Sequence, residues 1–181
     1  MNEIYTERLY LRNVIESDCQ GIFEYSKDKD VGPNAGWKPH ESIEESIELY
    51  KILYEGQPYT FSIFLKDTDI LIGTGGLIND PKREFDGARM IGYSIGKNYW
   101  GKGYMTEAAQ AIIKFGFEKA GLELISAYCY PYNTKSKRVI EKCGMLYEGN
   151  LQKCEMRYDG VLLDNELYSI SKDEYFAKTI I

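Results

Sequence analysis

Apolar and polar positions alternate along much of this chain, and where the alternation stops a helical spacing usually begins. Tyr5 to Val14 alternates as a first strand would. Tyr59 to Leu65 and Ile70 to Ile78 read as an antiparallel pair turned at Asp67-Thr68-Asp69. Two helices precede that pair. One is capped by Ser17 or Asp18 and runs to about Asp28, with Ile22, Phe23 and Tyr25 partly buried. The other runs from about Ser42 to Tyr54, with Ser42 and Glu45 at capping-box spacing and a stripe of Ile43, Ser46, Ile47, Tyr50 and Leu53. Between them, Val31 to His40 is dense in breakers and reads as a loop.

The second half repeats the alternation of strand and helix. Asn79 to Gly87 is a polar hairpin loop leading into a strand from Arg89 to Ile95. Met105, Ala108, Ala109, Ile112, Ile113, Gly116, Phe117 and Ala120 then share one helix face, and Gly121 supplies the stop. Ile125 to Tyr130 is a strand, and Asn133 to Cys143 a short helix ended by Gly144. Tyr147 to Arg157 and Leu162 to Ile170 form a closing hairpin about Asp159-Gly160, after which Ser171 caps a last turn through Phe176. Without repeats or a linker, the pattern predicts one α/β (α+β) domain over residues 1–181. Its sheet is mixed, mostly antiparallel and seven-stranded, with helices on both faces.

Composition narrows the function. A chain of 181 residues buries roughly 70% of its unfolded surface, enough for a real core. A net charge of −6 argues against a general nucleic-acid surface. No apolar run approaches the roughly 20 residues of a membrane span, and Met1-Asn2-Glu3-Ile4 carries no leader pattern. Cys19, Cys129, Cys143 and Cys154 show no C-x-x-C spacing, and His40 is the one histidine. The expectation is no metal site, and reduced thiols in a cytoplasm.

The stretch Gly96-Lys97-Asn98-Tyr99-Trp100-Gly101-Lys102-Gly103-Tyr104-Met105-Thr106-Glu107 organises the rest. It lies between a strand and a helix, so unpaired N–H groups and the positive helix end converge on one spot, an anion site. Gly96 to Lys102 fits G-x-x-x-x-G-K, but Gly103 stands where a magnesium-binding hydroxyl would be needed. A nucleotide hydrolase is therefore disfavoured. Thr106 likewise breaks the dinucleotide fingerprint. A G-x-G opening a helix after a strand fits without violation. In this the segment resembles the pyrophosphate loop of the GNAT superfamily of acetyl-CoA-dependent N-acetyltransferases, with Asn98 where the common pattern has Gln or Arg. Trp100 to Ala108 and Thr6-Glu7-Arg8-Leu9-x-Leu11-Arg12 are similar to the branch that acetylates ribosomal-protein amino termini.

Asn133-Thr134-Lys135-Ser136 and the helix ending at Gly144 resemble the superfamily's second signature. The resemblance implies acetyl-CoA as cosubstrate. It assigns Tyr93, Ser94, Ile95, Gly101, Lys102, Gly103, Tyr104, Met105, Thr106, Asn133, Ser136 and Arg138 to binding it. Asn133 would meet the pantetheine arm, or serve as an ordinary N-cap, or both. Backbone N–H groups around Tyr93 to Ile95 would polarise the thioester carbonyl. Lys97, Lys102, Lys135, Lys137, Arg138 and Lys142 gather positive charge in the two signature segments of an otherwise acidic chain.

Acetyl transfer to an amine asks for a base and an acid. Alkyl amines have pKa values near ~10.4 and chain termini near ~8, so most acceptors arrive protonated. A base must remove that proton, and an acid can protonate the departing thiolate. Many superfamily members place a tyrosine acid seven residues after the Asn, and here that residue is Ile140. The ribosomal-protein branch implies Ser136 as acid and Glu155 as base. Ser136 can equally be a helix-start residue, and Glu155 a charged residue on a solvated strand. His40, beside Trp37 in the breaker-rich loop, is a further candidate base, and Trp37 and His40 are expected to line the acceptor. The acidic helix Glu44 to Glu48 and the Gly32–His40 loop would wall the acceptor site. The expected partner is a primary amine, on a protein amino terminus or a small molecule, with the protein a monomer or a homodimer. The competing class is a non-catalytic acyl-CoA sensor, for which an intact loop without the tyrosine acid would be the signature.

Overall fold

Alternating segments become the strands of one sheet. In the computed structural model, which describes residues 1–179, the strands are β1 (Glu3–Tyr5), β2 (Leu9–Asn13), β3 (Thr60–Leu65), β4 (Leu71–Ile78), β5 (Ala88–Ile95), β6 (Leu124–Cys129), β7 (Leu146–Met156) and β8 (Leu162–Ser171). Their order across the sheet is β1-β2-β3-β4-β5-β6-β8-β7. Every neighbouring pair is antiparallel except β5 and β6. The helices are α1 (Cys19–Ser26), α2 (Ile43–Leu53), α3 (Tyr104–Glu118), α4 (Thr134–Lys142) and α5 (Lys172–Thr179). None of them is long and apolar enough to cross a membrane.

The eighth strand has a physical cause. Tyr5 to Val14 does not run straight, because Thr6 N bonds Leu9 O at 3.0 Å and the Thr6 hydroxyl accepts from Leu9 N at 2.9 Å. This turn splits the expected strand into β1 and β2. It also throws the Arg8 side chain toward α3, where it has a role at the site.

Adjacent residues of a strand face opposite layers, and β4 shows it: Ile72 joins the core under α3, whereas Leu71 packs with the smaller cluster of Val14, Ile22, Tyr25 and Val31 around α1. The predicted face of α3 is buried as expected, with Ile112 wholly covered. At Gly116 an added Cβ would stand 2.8 Å from both Ile125 and Leu77, so helix and sheet approach closely there. Two end effects depart from the pattern. Leu53 is half exposed, because α2 packs chiefly on α1 and its last turn extends past that footing. Asp18 does not cap α1 with its side chain; its carboxylate takes Arg12 Nη1 at 2.8 Å, Ser62 Oγ at 2.7 Å and Ile15 N at 3.0 Å.

What positions the site is the pairing of β5. Along its β4 side it pairs from Met90 to Ile95. On its β6 side the parallel ladder covers only Ala88↔Leu124, Arg89↔Ile125 and Met90↔Ser126. Beyond Met90 the two strands part. β6 stays paired to β8 along its whole length, so the sheet opens between β5 and β6 without unravelling. Gly92 sits at the opening, where an added Cβ would meet only Ile78 Cδ1 at 3.9 Å.

Candidate active site in the cleft between parting strands

The opening is a cleft of about 610 Å³ that runs from the start of α3 to β7 and β8. At its first end lies the glycine loop. Gly101 and Gly103 have φ of +74° and +81°, a left-handed conformation that side-chain-bearing residues adopt at a cost. Space above them is open: a Cβ at Gly101 would meet nothing within 4 Å, and one at Gly103 only Arg8 Nη2 at 3.4 Å. Gly103 is the N-cap of α3 and offers no side-chain oxygen, so the first amides of the helix keep their bonding capacity for a ligand.

The loop is fastened from behind. Glu107, in the first turn of α3, accepts from Thr6 Oγ1 at 2.7 Å, Arg8 N at 2.8 Å and Arg8 Nε at 2.7 Å. Arg8 Nη1 also donates to the Lys102 carbonyl at 3.0 Å, and its guanidinium lies 4.5 Å over the Tyr104 ring. Trp100 Nε1 donates to Ile95 O at 2.8 Å, tying the loop to β5. Burial alone would raise the pKa of this carboxylate, but the hydrogen bonds from Thr6 and Arg8, with the Arg8 charge, hold it below the ordinary value. Of the six cations gathered here by sequence, Lys97 pairs with Asp30 and Lys137 with Glu166. Lys102, Lys135, Arg138 and Lys142 have no carboxylate partner among the described residues, and the last three line the cleft.

Midway, α4 meets β5. Asn133 Oδ1 accepts from Ser136 N at 3.1 Å as an N-cap, while its Nδ2 donates to Asn34 O at 2.9 Å across the cleft mouth. The Tyr93 hydroxyl lies 2.9 Å from Ser136 Oγ. Burial pushes the Tyr93 pKa well up, so this hydroxyl keeps its proton at neutral pH.

At the far end stands Glu155. Tyr130 OH donates to its Oε1 at 2.5 Å and Asn165 Nδ2 to its Oε2 at 2.8 Å. Burial, with the neighbouring carboxylate, pushes the Tyr130 pKa up. The loop before α2 closes over this group. Gly36 has φ +90°, and a Cβ there would stand 2.6 Å from the Tyr130 hydroxyl and 2.9 Å from Glu155 Oε1. Beside it, Tyr128 OH bonds both oxygens of buried Asp80, at 2.7 and 2.9 Å. Burial and that bond push Tyr128 up to about 12.

Of the residues singled out by sequence, Tyr93, Ser94, Ile95, Gly101, Gly103, Met105, Thr106, Asn133, Ser136, Arg138 and Glu155 share the cleft wall. Lys102 and Tyr104 stand behind it, against Arg8. Trp37 and His40 are not on the wall: Trp37 packs on the cluster around α1, and His40 Nδ1 sits 2.7 Å from Ser46 Oγ with its ring 5.2 Å from Trp37. Burial lowers the His40 pKa. From the expected acceptor wall, Asn34 and Ala35 reach the cleft, and the acids of α2 do not. Tyr130 and Asn165 were missed. For Tyr130 the signal was its two-residue spacing from Ser126 and Tyr128, which puts all three on one face; Asn165 carried no local signal.

The description "Acetyltransferase (GNAT) domain" belongs to the family model that matches residues 8–146. An uncharacterised N-acetyltransferase of Bacillus licheniformis, p20, is 35% identical over 179 residues, covering 97% of this chain and 99% of that one. The [Ribosomal protein uS5]-alanine N-acetyltransferase of Escherichia coli is 25% identical over 182 residues, covering 94% and 91%. A crystal structure of a GNAT acetyltransferase from Bacillus anthracis superposes with a TM-score of 0.83 at 31% identity, covering 96% of this chain and all of that one. With an open sheet, a glycine loop at a helix start and a cleft between parting strands, this chain belongs to the GNAT family of acetyltransferases.

Proposed function

We propose that this protein transfers an acetyl group from acetyl-CoA to a primary amine, with both substrates held in the cleft. The observation that carries the reading is the placement of the Gly101–Thr106 amides and the Glu155 carboxylate at opposite ends of one opening. Loop amides would hold the diphosphate, with Lys135, Arg138 and Lys142 adding charge. Asn133 would exchange its bond to Asn34 for one to the pantetheine arm. The β5 edge beyond Met90, unpaired toward β6, would offer backbone groups to the thioester, which supplies the acyl group.

Glu155 takes the proton of the incoming ammonium, and its two neutral donors fix the direction in which it presents its oxygens. Ser136 gives a proton to the departing thiolate, which leaves as the thiol, with the Tyr93 hydroxyl 2.9 Å behind it. The missing tyrosine acid favours a second reading, an acyl-CoA sensor, since Ile140 is wholly buried at that place. Tyr93 answers that objection by bringing a tyrosine hydroxyl to Ser136 from another strand. A protein amino terminus as acceptor draws support from the uS5-alanine relative and from the Thr6–Arg12 and Trp100–Ala108 segments; a small amine remains within the same chemistry. Four free thiols suit a reducing cytoplasm.

Thiol release from acetyl-CoA across an amine panel tests the reading. Wild type turns over, and Glu155→Gln lowers kcat by about 10²–10⁴ while still binding CoA. Tight CoA binding with no turnover of any amine would instead establish the sensor.

A further inference from the structure

The acceptor end of the cleft carries two charges whose placement bears on which amine it takes. One is Glu155, whose oxygens receive only neutral donors, Tyr130 OH and Asn165 Nδ2. The other is Lys82, from the loop before β5, whose Nζ stands 4.2 Å over the Tyr128 ring. Both residues line the cleft, and among the described residues neither forms an ion pair. Tyr128 lies on β6 and Tyr130 follows its last residue, Cys129, two positions on in the same direction, so the supports of the two charges are separated by about 7 Å along the chain.

The other charges at this end are already answered. Asp80 is fully buried, with its oxygens on Tyr128 OH and Ser126 Oγ and with Arg83 Nε at 3.8 Å. Arg83 also pairs with Glu148. Lys82 is therefore the charge presented to a ligand there. The cleft is roofed as well: Asn34 O is bonded to Asn133 and Pro33 O to Arg157, so the loop before α2 spans from α4 to the β7–β8 hairpin. A roofed pocket with a carboxylate and an ammonium suits a small molecule of the opposite pattern.

We infer, resting on the acetyltransferase reading, that the acceptor is a small zwitterion, its amine at Glu155 and an anionic group a few bonds away at Lys82. A polyamine would set its second cation against Lys82, and the site discriminates against it by repulsion.

The test compares kcat/KM for β-alanine, γ-aminobutyrate and ε-aminocaproate with the alkylamine and diamine of matching length. In wild type the best amino acid is expected to exceed its matching diamine by about tenfold or more. Lys82→Glu is expected to reduce that ratio by at least about tenfold, and Lys82→Arg to keep it. A wild-type preference for diamines, or a ratio that Lys82→Glu leaves alone, overturns this inference while turnover keeps the acetyltransferase reading. If no amine is turned over, calorimetric binding of γ-aminobutyrate and putrescine to the CoA-saturated protein decides. The same preference and its loss in Lys82→Glu support the zwitterion site and sink only the transfer reaction. No preference overturns the inference.

Discussion

Glu155 is held by residues far from it in sequence, which fixes its carboxylate in the direction the proposed role as base requires. Tyr130 is 25 positions away and Asn165 ten, yet both reach its carboxylate. Gly36 makes the arrangement possible by leaving the space a methyl group would fill. Gly36→Ala would press on the Tyr130 hydroxyl and Glu155 Oε1 and strain a backbone at φ +90°. We expect kcat to fall by tenfold or more, on the order of what small displacements of catalytic groups cost, with CoA affinity kept; steady-state kinetics beside a CoA titration checks this. The residue scale was partly legible. Glu155 and Ser136 came from a resemblance and an offset, whereas the meeting of Tyr130 and Asn165 at Glu155 needed the register of β6, β7 and β8, which no local spacing reveals. Trp37 and His40 were named for their chemistry and their breaker-rich surroundings, but apolar contact and a serine hydroxyl turn them away from the cleft wall.

Among the elements, strand, glycine loop and helix could be read directly, because φ-permissive glycines and a 3.6-residue period are local properties. The break between β1 and β2 could not, since the short Thr6–Leu9 turn that makes it is held in place by Glu107, 99 residues from Arg8. That carboxylate is the buckle between the Thr6–Arg12 segment and the glycine loop, satisfying Thr6 and Arg8 at once. Glu107→Ala leaves these donors without their acceptor and is expected to cost about 2–3 kcal/mol, read as a lower urea midpoint at unchanged slope. Because the buckle sets the start of α3, the same variant should also weaken CoA binding. A midpoint equal to wild type would show that the loop is held by other means.

For the whole molecule, a mixed, mostly antiparallel sheet followed from the pattern of segments. The parting of β5 from β6 did not, because it depends on which long-range pairings stop, after Met90↔Ser126, and which continue. Stability at this scale should depend on pH through His40. Burial lowers its folded pKa below the ordinary 6.5, so between those values the unfolded chain binds more protons than the folded one. The stability it permits is complete above about 6.5 and is lost as pH falls toward the folded pKa. Thermal melts from about pH 7.5 to 5.5 should therefore slope downward in wild type and less steeply in His40→Asn; identical slopes would remove His40 from the account.

In the proposed reaction, main-chain amides freed by Gly101 and Gly103 hold the diphosphate of CoA. Calorimetric titration of CoA into wild type and Gly103→Val tests it most directly, because valine cannot relax at φ +81° and would shadow the loop. Saturable heat is expected in wild type, with an affinity at least about tenfold weaker in the variant. No heat in wild type, or equal affinity in a folded Gly103→Val, would contradict it.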